Sequence, residues 1–175
     1  MTLVVIDLQR VFGDPSSPWC APRFGSVVEP VSRLVAAFGD DVVFTRFVAP
    51  AEPVGAWVDY YREFPFALQP PDAPLYDLVD AFAGRPTLDA TTFGKWGPEL
   101  AARVTGDLVV AGVSTDCCVI STVLAAADAG RRVRVVADAC AGADDASHDK
   151  ALDVMGLFAP LVQITDVDTV LASPS

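Results

Sequence analysis

Short runs rich in valine and isoleucine recur along the chain, separated by stretches with helical spacing. That alternation restricts the fold more than any other feature. Residues 2–7 (TLVVID), 42–46 (VVFTR), 108–112 (LVVAG), 133–137 (VRVVA) and 161–165 (LVQIT) have the length and β-branched content of strands. Residues 87–91 form a weaker sixth candidate. The runs are continuously apolar rather than alternating, so both faces of the sheet they build must be covered. The covering helices are predicted at 26–38, 98–104, 118–129 and 144–158. The first begins on Ser26 as its cap and gathers Val27, Val31, Leu34, Val35 and Phe38 on one face. The second has Pro98 in its first turn, the third stops at Gly130, and the fourth stops before Pro160. The expected fold is α/β in three layers, a parallel sheet with helices on both faces. A length of 175 residues fits one domain over 1–175. Residues 47–75 depart from the rhythm. They are proline-rich and hold Trp57, Tyr60, Tyr61, Phe64 and Phe66. Such an excursion packs as an irregular loop, or it walls a pocket or an oligomer contact.

Composition removes several function classes. Apolar residues make up 52%, which excludes disorder. The formal charge of −11 is the wrong sign for a nucleic-acid backbone or an anionic membrane surface. No run approaches the ~18 apolar residues of a membrane span. Residues 1–7 have no basic region and no small-residue cleavage site, so no signal peptide is expected. The four cysteines include the adjacent pair Cys117 and Cys118, which is not a secreted disulfide framework. A cytoplasmic location is the expectation. His148 is the single histidine, so a multi-histidine metal site within one chain is excluded. Lys95 and Lys150 are the only lysines; the other basic residues are all arginine.

In doubly wound sheets, ligands bind beyond the carboxyl ends of the strands. The first strand ends in Asp7, an acid that must cap, pair or react there. The strand at 108–112 runs into Val113-Ser114-Thr115-Asp116-Cys117-Cys118-Val119. A helix starting on Thr115 or Asp116 would put Cys118 in its first turn, where the dipole lowers a thiol's pKa and free N–H groups can hold an oxyanion. The plainer alternative makes both cysteines small buried apolar residues. No G-x-G-x-x-G follows the first strand, which argues against a dinucleotide-binding protein.

Asp7 in its apolar-D-L-Q context, together with G-V-S-T-D-C-C-V-I-S-T at 112–122, resembles the isochorismatase-like cysteine hydrolases. The resemblance continues through Ala125, Ala126 and Gly130, then V-V-A-D-A-C at 135–140, then Ser147-His148. It implies a Rossmann-like fold with a six-stranded parallel sheet. It also implies a triad of Asp, Lys and Cys, in which Asp7 is the base and Cys118, the cysteine immediately before valine, is the nucleophile. A non-proline cis peptide at 113–114 is expected, as is an oxyanion hole of backbone N–H groups at Ser114, Cys117 and Cys118. The implied activity is hydrolysis of a small amide or related C–N bond, with no cofactor, in a homo-oligomer. Many relatives carry the lysine near the positions matching 87–89, where this chain has none. Lys95 is the candidate instead, in a loop before a helix. Should Lys95 point to solvent, the chain reads as a catalytically impaired or redox-responsive member built on Cys117-Cys118. Nicotinamidases of this family usually have two histidines near the second strand, and Thr45-Arg46-Phe47-Val48 has none. True isochorismatases lack the nucleophilic cysteine. Phe12, Trp19 and Trp96 are the expected pocket residues, with Trp57 a further aromatic candidate. His148 and Cys140 are expected to be structural, Asp138 to bind backbone groups, and Cys20 to be a passive loop residue or to line the pocket entrance.

Overall fold

All five residues of β1 (Thr2–Ile6) are buried, as a strand in the middle of a covered sheet must be. The computed structural model describes residues 1–172. The further strands are β2 (Val42–Phe47), β3 (Thr87–Ala90), β4 (Leu108–Val113), β5 (Val133–Ala141) and β6 (Val162–Thr165). They form one sheet in the order β3-β2-β1-β4-β5-β6, with every neighbouring pair parallel. The helices are α1 (Arg10–Gly13), α2 (Phe24–Phe38), α3 (Trp57–Glu63), α4 (Pro98–Arg103), α5 (Ile120–Asp128), α6 (Asp145–Gly156) and α7 (Val167–Ala172). The expected three-layer α/β architecture is therefore present.

Alternation along the strands divides the core. Leu3, Val5, Val109 and Ala111 pack with Val27, Val31 and Leu34 of α2 and Val170 of α7. Val4, Ile6, Leu108 and Val110 pack with Leu100 of α4, Val123 and Ala126 of α5, and Met155 of α6. The chain winds outward from β1 in one direction and from β4 in the other. Between these two neighbours lies the switch point, where a crevice opens beyond the strand ends. Gly112 permits their close approach there. Its φ is +122°, and a Cβ at this position would lie 2.0 Å from the Ile6 carbonyl oxygen.

Several boundaries differ from expectation. α2 begins at Phe24, and Ser26 lies inside its first turn, where its Oγ donates to the Arg23 carbonyl at 2.7 Å instead of capping. β5 runs on to Ala141 past Asp138, because a bulge against β4 carries the less apolar Asp-Ala-Cys-Ala segment back into register. A single π-helical turn, Thr115–Val119, precedes α5. Among the described residues, no helix is long and apolar enough to cross a membrane.

Candidate active site

The switch point brings together three of the predicted residues. Asp7 follows β1 directly and has a φ of +49°, an unusual value for a non-glycine residue. Thr45 of β2 donates its hydroxyl to Asp7 Oδ1 at 2.7 Å. The Lys95 ammonium lies 2.9 Å from Asp7 Oδ2, and both side chains are 0% exposed. Among the described residues, Oδ2 has no further hydrogen-bond donor. One lone pair of that oxygen is thus left for a mobile proton.

Lys95 is held as firmly as its partner. Its backbone N–H donates to Thr122 Oγ1 at 2.9 Å, and Thr122 donates in turn to the Cys118 carbonyl at 2.7 Å. Its Nζ also donates to the Thr92 carbonyl at 2.8 Å and stands 5.1 Å from the Phe47 ring centroid. A single threonine of α5 therefore ties the lysine loop to the cysteine turn. Positions 87–89, where the resemblance puts the lysine, lie in β3, and there Asp89 pairs with Arg46 of β2. Lys95 supplies an ammonium from farther along the same β3–α4 connection.

Cys118 sits in the π-helical turn at 3% exposure. The Val113–Ser114 peptide is cis, as the resemblance implied. Two expectations about this turn need correction. Thr115 and Asp116 do not cap it. Thr115 Oγ1 pairs with His148 Nδ1 at 2.8 Å, and Asp116 Oδ1 accepts the Ala143 N–H at 2.9 Å. Nor is the Cys118 thiol lowered. Its hydrogen bond with the Cys117 thiol, its burial and the Asp7 carboxylate push it well above the ordinary value, against the pull of Lys95. The more exposed Cys117 is the one lowered, chiefly by its bond with Cys118. A thiol raised in this way acts as a nucleophile only with a base beside it. The Cys117 N–H, expected in the oxyanion hole, donates to the Ser114 carbonyl at 3.1 Å, which also takes the Val119 N–H at 3.0 Å.

Beside the turn lies a cavity of about 370 Å³ whose lining includes Ser114, Asp116, Cys117 and Cys118. Its opposite wall is aromatic: Phe12, Trp19, Phe47, Tyr60, Phe64 and Phe93. Trp19 is the hub, with ring centroids 6.1 Å from Phe12, 5.6 Å from Phe64 and 5.0 Å from Phe66. Phe12 and Trp19 stand where expected. Trp96 does not. It packs into the core on the other face of the sheet, with Arg131 5.8 Å from its ring centroid. Successive loop residues Lys95 and Trp96 thus serve opposite layers. Trp57 packs behind the wall against Phe93 at 5.0 Å and does not line the cavity. Tyr60 and Phe64 line it, so the 47–75 excursion is a pocket wall, and Cys20 also reaches the lining.

Gln9 was missed as a positioning residue. It is fully buried, donates to the carbonyls of Phe47 and Tyr76 at 2.9 Å each, and accepts the Phe47 N–H at 2.8 Å. Its signal was the D-L-Q sequence itself, in which a glutamine beside a buried strand must find partners. Cys140 is buried, with its thiol pushed up to about 12 by desolvation. Asp138 Oδ1 accepts the Val167 N–H at 3.0 Å. A histidine-based metal centre does not fit this donor set. The one histidine is engaged by Thr115, and among the described residues no three His, Cys, Asp or Glu side chains are grouped to hold an ion.

The family model described as "Isochorismatase domain" matches residues 1–166. The nicotinamidase of Escherichia coli (strain K12) is 34% identical over 86 residues, a match spanning 49% of this chain and 39% of that protein. Among solved structures, a cysteine hydrolase from Pseudomonas syringae pv. phaseolicola 1448A superposes with a TM-score of 0.83 at 19% identity, covering 97% of this chain and 90% of its own. An isochorismatase family protein from Desulfovibrio vulgaris subsp. vulgaris str. Hildenborough gives a TM-score of 0.81 at 21% identity, covering 98% of each chain. A nicotinamidase/pyrazinamidase from Bacillus subtilis gives 0.75 at 20% identity, covering 95% of this chain and 100% of its own. At such identities the superpositions speak for the fold.

Proposed function

Given that the chain belongs to the isochorismatase family of hydrolases, we propose that it is a cysteine-dependent hydrolase of a small amide or related C–N bond. Asp7, Lys95 and Cys118 carry the reaction. The single observation behind this reading is the fully buried Lys95–Asp7 pair at 2.9 Å beside the Cys118 turn. Burying two charges costs more than their attraction usually returns, so such a pair is a poor stabilising device and a good catalytic one.

The chemistry follows from the resting states. Asp7 Oδ2 takes the Cys118 proton as Sγ attacks the carbonyl carbon, forming the S–C bond. The Lys95 ammonium stays charged beside Asp7 and offsets the negative charge passing through the site. The oxyanion is received by N–H groups of the turn at Ser114 and Cys118, with that of Cys117 shared with the Ser114 carbonyl. As the C–N bond breaks, protonated Asp7 gives its proton to the leaving nitrogen. Water then attacks the thioester with Asp7 as base, releasing the carboxylic acid and restoring the thiol. An ammonia-release screen over small amides tests this. Turnover in the wild type that vanishes in Cys118→Ala supports it; equal turnover in both removes it.

One observation favours a second, redox-responsive reading: Cys20, Cys117 and Cys118 line the same cavity. Dilute hydrogen peroxide separates the two. The redox reading expects reversible loss of free thiols in a protein that turns over no amide. The hydrolase reading expects turnover that peroxide abolishes.

A further inference from the structure

Charge in the cavity is one-sided. Among the described residues, Asp116 is the only charged side chain in the lining, and no lysine, arginine or histidine joins it. Asp116 Oδ1 is satisfied by the Ala143 N–H at 2.9 Å, while Oδ2 has no protein partner among the described residues. The Lys95 ammonium stands 5.1 Å from the Phe47 ring centroid, is not part of the lining and is already matched by Asp7. The same lining holds Phe12, Trp19, Phe47, Tyr60, Phe64 and Phe93, and the π-faces of aromatic rings attract cations. A carboxylate or phosphate on the substrate would find no counter-charge here and one like charge. A purely apolar substrate would strip water from Asp116 and offer nothing in return.

We propose that this site selects a small cationic amide, whose ammonium group is held between Asp116 and the aromatic wall while its carbonyl lies against the Cys118 turn. The inference rests on the hydrolase reading for its chemistry and on the cavity lining for its selectivity. The formal charge of −11 acts in the same direction, because an acidic surface draws cations toward the opening. Asp116 is a specificity determinant in this scheme and takes no part in bond making.

Three probes test it: trimethylammonioacetamide, its uncharged isostere 3,3-dimethylbutanamide, and the smaller carboxylate malonamate. The expected wild-type kcat/KM ratio of cation to isostere is about tenfold or more, with malonamate slowest. Asp116→Asn keeps the acceptor for Ala143 but removes the charge, and is expected to bring that ratio toward one. Raised salt should narrow the wild-type ratio. A wild-type ratio at or below one, comparable turnover of malonamate, or a ratio unchanged in Asp116→Asn overturns the inference. Titrating Trp19 fluorescence with each probe in Cys118→Ala reads binding without chemistry. Tighter binding of the cation with no turnover in the wild type sinks the hydrolase reading alone. Equal binding of cation and isostere sinks the cation inference alone.

Discussion

The two walls of the cavity are built by different physics. On the catalytic side, side chains at strand ends are fixed by short polar contacts: Thr45 to Asp7, Asp7 to Lys95, Lys95 N–H to Thr122, and Thr122 to the Cys118 carbonyl. On the facing side, Trp19, Tyr60 and Phe64 come from loops and the short helix α3 and are held by ring-to-ring contact. The first wall tolerates little displacement, because each buried polar atom depends on a named partner. The second is soft, because aromatic contacts worth about 0.5–1.5 kcal/mol each can be redistributed. Reaction chemistry and substrate choice therefore reside in separable parts of one site.

The largest expected effects fall on the polar wall. Cys118→Ala should lower kcat by about 10³-fold or more with the fold intact, measured by ammonia release and circular dichroism. Asp7→Asn should cost about 10²–10⁴-fold in kcat, the range for loss of a general base. Lys95→Met should be as damaging and should also destabilise the protein by about 3–5 kcal/mol, because it leaves the Asp7 carboxylate buried and unpaired. The double variant Asp7→Asn/Lys95→Met sharpens the contrast. It should regain much of the stability in denaturant titration and none of the activity. Recovery of activity in the double variant would break the assignment of this wall to chemistry.

Legibility in the sequence follows the same division. Asp7 and Cys118 were readable because a strand end and the turn after a second strand are defined locally, and the G-V-S-T-D-C-C-V segment narrows the choice. Lys95 was readable through scarcity, as one of two lysines, although its reach into the site depends on how the β3–α4 connection folds. Trp96 was misplaced for that reason: nothing local says that adjacent residues serve opposite layers. The lowered thiol expected at Cys118 failed because the dipole argument considers only the turn, whereas burial, Cys117 and Asp7 come from the tertiary structure. Most of the aromatic wall was invisible one residue at a time. Phe47, Phe64 and Phe93 lie 17 and 29 positions apart and follow no periodic pattern.

The soft wall should respond with a change in KM. Trp19→Leu removes the hub of the ring cluster but touches none of the polar contacts. KM is expected to rise roughly tenfold, which corresponds to about 1.4 kcal/mol of binding, while kcat changes by less than about threefold. Steady-state kinetics on any amide that the wild type turns over checks this. A fall in kcat comparable to that of Asp7→Asn would mean that the two walls are not separable.

The smallest expected effect concerns the histidine tied to the cysteine turn. His148 Nδ1 pairs with Thr115 in the turn that carries Cys118, and burial holds its pKa below the ordinary value of 6.5. The charges around it pull both ways: Asp149, Asp145 and Asp116 raise the pKa, whereas Arg23 lowers it. With the folded pKa depressed, the unfolded chain binds a proton that the folded chain refuses. The slope of stability with pH is then positive, and stability falls as pH drops through about 6.5 toward the folded value, below which the loss levels off. Asp144 and Asp166, whose pKa values are lowered by hydrogen bonds to Ser147 and Thr169, lose their contributions only at lower pH, below their ordinary value of 3.8. A guanidinium midpoint that declines between pH 7.5 and 5.5, and declines less in His148→Gln, isolates the histidine. If the catalytic wall is as rigid as its contacts imply, kcat of the wild type should fall only at lower pH, below 6.5, in step with protonation of the folded histidine, because the Thr115 contact that fixes the turn is then disturbed.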